Sequence, residues 1–156
     1  MRKTFRRILC ASFILTTALG LCACHESNME GFNSYDAANK EFKETVASLN
    51  WPDNYTVPTE LDGEKEASFE AGYGDTRASQ YWEEAWEKEW LKNYQTDKER
   101  ADHAIKELEK APTMNYMSPA KCDDATRDYF KKMLDKAKAG DPSAVEENLK
   151  LNGPTS

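Results

Sequence analysis

Apolar positions recur at three- and four-residue steps along most of the chain, and nowhere do they alternate with polar ones over a strand-length run. The spacing predicts a first helix over 34–50, where Tyr35, Ala38, Phe42, Val46 and Leu49 form one stripe. Trp51-Pro52 ends it, because proline disfavours helical geometry in the residue before it. The segment from Trp51 to Gly63 contains Pro52 and Pro58 and reads as an ordered loop whose aromatics, Trp51 and Tyr55, dock on the helices. A second helix is expected over 75–95, with Ala78, Trp82, Ala85, Trp86 and Glu89 on one face and Tyr81 and Trp90 on its flanks. Thr96-Asp97-Lys98-Glu99 has the form of a capping box, Thr96 being the cap. It opens a third helix that runs to about Lys110 through Ala101, Ala104, Ile105 and Leu108. Ser118-Pro119 fits an N-cap followed by proline at the first helical position. The fourth helix would then carry Cys122, Thr126, Tyr129, Phe130, Met133 and Ala137 on one stripe, which buries Cys122. Gly140 closes it, and Asp141-Pro142 opens a last short helix through Val145 and Leu149. The fold class is therefore all-α, a small bundle of about five helices with a Pro-containing loop after the first.

The first residues follow another logic. Arg2, Lys3, Arg6 and Arg7 precede Ile8–Leu21, a mostly apolar run that ends in small residues. Spanning a bilayer takes about 20 apolar residues. This shorter run has the layout of a secretory signal. Its end, Leu21-Cys22-Ala23-Cys24, resembles a bacterial lipobox, in which a leucine lies three residues before the modified cysteine and a small residue immediately before it. The resemblance implies cleavage before Cys24 and lipidation of its thiol. Two acyl chains then hold the protein firmly, since each buried methylene contributes about 0.8 kcal/mol. The alternative is an ordinary signal cut after Ala18-Leu19-Gly20, which would secrete the protein. The expected organisation is a signal peptide over 1–23, a lipidated N-terminus and polar spacer over 24–33, and one helical domain over 34–156.

Charge narrows the choice of partner. Removing the signal discards four cations, so 28 Asp and Glu face 17 of the 21 Lys and Arg, a net charge near −11. An acidic surface gains nothing from counterion release, which argues against nucleic acid. It also argues against adsorption on anionic lipid, leaving the covalent anchor as the route to a membrane. Cys10 and Cys22 leave with the signal and Cys24 is acylated, so Cys122 has no partner for an internal disulfide.

The run Phe69-Glu70-Ala71-Gly72-Tyr73-Gly74, followed by Tyr81-Trp82, Ala85-Trp86-Glu87 and Glu89-Trp90-Leu91, resembles a motif of small actinobacterial secreted proteins and lipoproteins. Trp51-Pro52 corresponds to an aromatic-Pro pair upstream in that group. The pattern departs at Glu84, where relatives carry Cys. The resemblance implies export and supplies no activity.

Several residues invite chemistry, each with a plainer reading beside it. Trp82, Trp86 and Trp90 could form a platform for sugars or peptides, yet their spacing is also that of a core face. Trp90, the most peripheral, is the expected exposed member, with Trp51 and Tyr55 as further possible ligand contacts. Glu89 projects from the aromatic face, where desolvation would raise its pKa as a general acid requires. The plainer reading pairs it with a Lys or Arg, Arg77 or one on another helix. Glu99, His103 and Glu107 are spaced four apart and could hold a metal, or could be solvated neighbours on the polar side. Ser118-Pro119-Ala120-Lys121 satisfies S-x-x-K formally, without the further elements that chemistry needs. Gly72-Tyr73-Gly74 lacks the third glycine of a dinucleotide loop and reads as punctuation.

No assembled catalytic, metal or cofactor constellation emerges. The reading that follows is a membrane-anchored exported lipoprotein, a non-enzymatic domain that binds an envelope protein or another envelope component at the outer face of the membrane. The alternatives are a glycan- or peptide-binding module using exposed aromatics, and a small cell-envelope hydrolase with Glu89 as its acid.

Overall fold

A computed structural model describes residues 31–154; the signal segment and Cys24 lie outside the described residues. Five helices make up the fold: α1 (Tyr35–Ser48), α2 (Tyr73–Asn93), α3 (Lys98–Leu108), α4 (Asp124–Lys138) and α5 (Ser143–Asn152). Two short strands, β1 (Phe32–Asn33) and β2 (Phe69–Glu70), pair antiparallel with Phe32 opposite Glu70. The end of the expected spacer is thus part of the fold.

Local chemistry sets the helix starts. The Ser34 side chain accepts from the Ala37 N–H and begins α1 as its position predicts. At α3 the cap is Asp97, accepting from Arg100 N at 3.1 Å, one residue later than the expected Thr96. Asp97 is the stronger acceptor, and its carboxylate also complements the positive end of the helix. The larger correction concerns α4. Its cap is Asp123, whose carboxylate accepts from Thr126 N at 2.7 Å and is held below its ordinary pKa by that bond. Ser118 instead follows two 3-10 turns, Ala111–Thr113 and Asn115–Met117. The chain from Ser118 to Asp123 is a strap that crosses to α4, so Cys122 precedes the helix rather than riding its buried stripe. Phe130, Met133 and Ala137 of that stripe are buried, whereas Thr126 is exposed.

α2 is the axis of the bundle. It packs against α1, α3, α5 and the Asn115–Met117 turn, and buries residues on most of its circumference. One apolar cluster joins Trp82, Trp86 and Trp90 to Leu108 of α3, Phe130 and Met133 of α4 and Val145 of α5. A second joins Tyr35, Ala38 and Phe42 of α1 to Ala78 and Tyr81, with Leu61 from the loop. The loop is ordered as expected: Tyr35 Oη donates to Leu61 O at 2.8 Å, and Leu61 N donates to Asn39 Oδ1 at 2.9 Å. Gly74 lies inside α2, where a Cβ would meet the α1 backbone at Ala38 O and, at 2.7 Å, Phe42 N. It is a crossing point between two backbones more than punctuation.

Candidate functional site

A helix surrounded on nearly all sides must bury whatever its sequence puts between its apolar rows. On α2 three of those residues are carboxylates, Glu84, Glu87 and Glu89. Buried Glu87 and half-buried Glu83 lie one turn apart and face α5 and the Asn115–Met117 turn. Asn148 of α5 donates through one side-chain nitrogen to both, to Glu83 Oε1 at 3.2 Å and to Glu87 Oε1 at 2.8 Å. Tyr116 Oη donates to Glu83 Oε2 at 2.5 Å. Asn152 Nδ2 in turn donates to Asn148 Oδ1, fixing the amide orientation. Neither Glu83 nor Glu87 forms an ion pair with a cation among the described residues.

Burial, with no cation paired to either carboxylate among the described residues, decides the electrostatics. Desolvation pushes Glu83 above the ordinary carboxylate range, partly offset by the donors Tyr116 and Asn148. Glu87, only 1% exposed, is pushed well above it by desolvation and then by the Glu83 charge. Two carboxylates one turn apart in such a setting titrate as a pair, the first ionisation opposing the second. The same surroundings raise Tyr116, which desolvation and the Glu83 charge keep neutral.

The pair lines a cleft of about 650 Å³. Met117, Cys122, Tyr129 and Leu151 supply its apolar walls, and Glu84, Asp123 and Glu147 add acidic groups. Leu151, at 67% exposure, is the most exposed large apolar residue of the described fold. Lys121 lines the rim, drawn aside by Glu70 Oε1 at 3.1 Å and Ala71 O at 2.9 Å. Another hollow, of about 720 Å³ beside Trp90 and the end of α4, is lined by charges that pair with each other, Lys98 with Asp102 and Lys138 with Glu109.

The residues singled out by sequence fall elsewhere. Trp51, Trp86, Glu89 and His103 do converge, with Asp53 and Arg100, on a small cleft of about 200 Å³. There Arg100 approaches Glu89 Oε1 at 2.7 Å and Asn93 Nδ2 bonds the same oxygen at 2.9 Å, the pairing that the plainer reading of Glu89 called for. Trp90 is a correction: it is 2% exposed and stacks on Tyr94 inside the first apolar cluster, so it is not the exposed member of the tryptophan series. Trp51 and Tyr55 are half-buried and spend their polar atoms internally. Their rings stack at 5.7 Å, Trp51 Nε1 donates to Val46 O, and Tyr55 Oη donates to Glu84 Oε2 at 3.1 Å. Glu99 is exposed, whereas Glu107 is buried and paired with Lys110, contrary to its expected solvated position. Among the described residues no group of three or more His, Cys, Asp or Glu is arranged to hold a metal ion. Cys122 is half-buried, its Sγ 3.6 Å from Met117 Sδ.

Sequence reasoning passed over Glu83, Glu87, Tyr116 and Asn148. The available signal was that α2 carries aromatic residues on several sides, which leaves little circumference for a solvated face. No family model, curated protein or solved structure matches the chain.

Proposed function

We propose that the chain is an exported, lipid-anchored domain that acts by binding rather than catalysis, and that it binds through the cleft over Glu83 and Glu87. The observation that carries this reading is a carboxylate pair, Glu87 buried and Glu83 half-buried, with which no cation among the described residues forms an ion pair. Apolar residues of similar volume would pack α2 against α5 at lower cost, so the pair is an expense that structure alone does not require. A cleft rich in acceptors, with apolar walls and few free donors, suits a ligand that brings an ammonium or guanidinium group on an aliphatic stem. Basic side chains of an envelope protein and amino-bearing envelope components have that chemistry. The anchor at Cys24 would keep the cleft near the membrane surface.

Amide NMR of the full chain tests the cleft, with N-acetyl-lysine amide as probe and its Nε-acetylated form as control. The free amine should shift the Glu83, Glu87 and Asn148 resonances saturably, and the control should not. No shift, or equal shifts, would reject the reading. Intact-mass measurement on protein from membranes tests the anchor: an unmodified N-terminus at Leu21 rules it out.

A further inference from the structure

We propose that Glu83 and Glu87 share one proton, carried by Glu87, as a latch that fastens α5 and the Asn115–Met117 turn to α2, and that its loss opens the cleft. The inference rests on the geometry of the pair and stands whether or not the cleft takes an amine.

The hydrogen bonds assign the proton. Glu83 accepts on both oxygens, from Tyr116 on Oε2 and from Asn148 on Oε1, the arrangement that suits an anion. Glu87 accepts from Asn148 on Oε1, which leaves Oε2 to carry a hydrogen. The surroundings explain why a proton is needed. From the strap, Lys121, Cys122 and Asp123 face the cleft; Lys121 is engaged at the rim by Glu70, and Asp123 caps α4. From α4 comes Tyr129 and from α5 Glu147, neither of them a cation. On α2 itself Glu84 adds a further negative charge, with Lys88 bonded to it at 2.9 Å and Tyr55 donating to its other oxygen. Burial and the Glu83 charge both hold Glu87 in its neutral form.

Ionising Glu87 places a second charge beside Glu83 within reach of a single amide nitrogen. Repulsion then acts across the fork that Asn148 closes. The two ends of α5 respond differently. Val145 is 1% exposed in the apolar cluster, and Tyr129 Oη ties Ala144 O to α4 at 3.3 Å, so the first turn stays seated. The last turn carries exposed Leu151 and is held by weaker ties. These are Leu149 at the edge of the apolar cluster, Asn152 braced on Asn148, and Arg77 reaching Pro154 O at 3.5 Å beyond it, so it is the end that rupture at Asn148 loosens. The motion uncovers the carboxylates, and alkaline conditions favour it.

Hydrogen exchange of the full chain between about pH 6 and about pH 9 tests the latch, since opening coupled to one proton grows by up to about tenfold per pH unit. After correction for intrinsic exchange, amides of 147–152 should lose protection as pH rises in the wild type and stay flat in Glu87→Gln. Equal pH dependence in both, or none in the wild type, would overturn the proposal. Should Glu87→Gln not fold, carboxyl 13C titration of the wild type decides the matter. One of the two carboxyls must be protonated near neutrality; both ionised at about pH 6 overturns the latch.

Discussion

Replacing Gly74 with alanine should destabilise the fold although it improves the helix. A Cβ built on Gly74 meets Ala38 O, approaches Phe42 N at 2.7 Å and Glu41 Cβ at 2.9 Å. The first two are backbone atoms of α1 and cannot rotate aside, so α1 and α2 must separate. Overpacking of this kind costs about 1–3 kcal/mol. The helix gains up to about 1 kcal/mol from exchanging glycine for alanine. Separating α1 from α2 also loosens Phe42, which is fully buried and meets the Tyr81 ring edge-on at 6.1 Å. The upper part of the overpacking range therefore applies, and the net loss should be about 2 kcal/mol. For a chain of this size each kcal/mol lowers the melting temperature by roughly 4 °C. Gly140→Ala is the control. Gly140 has φ +82° and nothing within 4 Å of its Cβ position, so its cost is conformational alone, about 1 kcal/mol. Urea unfolding followed by tryptophan fluorescence reads both variants. Wild-type or greater stability in Gly74→Ala would refute the steric reasoning.

The buried tryptophans should differ in a way their similar burial hides. Trp86 Nε1 donates to Asn50 O at 3.1 Å, whereas Trp82 Nε1 has no partner among the described residues, so Trp86→Phe should cost about 1 kcal/mol more than Trp82→Phe in the same unfolding assay. Truncating either to alanine should cost about 3–5 kcal/mol, and a melt unchanged from wild type would remove both from the core. Stability should fall as pH rises: Glu87 is raised in the fold above its ordinary value of 4.5, so its contribution is full below that value and is lost as pH climbs through the raised one. Asp62, held low by Arg77, works in the opposite sense in acid, its contribution being lost as pH falls through its lowered value; urea midpoints across pH for wild type and Glu87→Gln separate the two, the variant losing the alkaline slope. Cys122 should react with a maleimide in the native state, more slowly than after unfolding, because it is half-buried beside a cleft. Labelling only after denaturation would place it back in the core.

The chain pattern alone determined the helices, because a helix is specified by residues three and four apart and its caps by residues within one turn. Ser34, Trp51-Pro52, Gly140 and Asp141-Pro142 marked boundaries that the fold keeps to within a residue or two. Two starts were misplaced where neighbouring candidates competed: Asp97 took the cap from Thr96, and Asp123 took it from Ser118. The burial of Trp82 and Trp86 and the docked loop were legible for the same reason, being apolar residues whose burial depends little on which partner covers them, whereas Trp90, expected at the periphery, is enclosed once α3 and α4 pack on α2. Tertiary structure alone decided the fate of the polar side chains. Glu83 and Glu87 carry the spacing of an ordinary solvated pair, and Glu89 stood out because it shared a face with tryptophan. Once α5 and the Asn115–Met117 turn close over α2, Asn148 and Tyr116, far along the chain, cover the first two, while Arg100 neutralises the third. Local spacing sets where a carboxylate points, but its charge is settled by what surrounds it, and that is fixed only when distant segments meet.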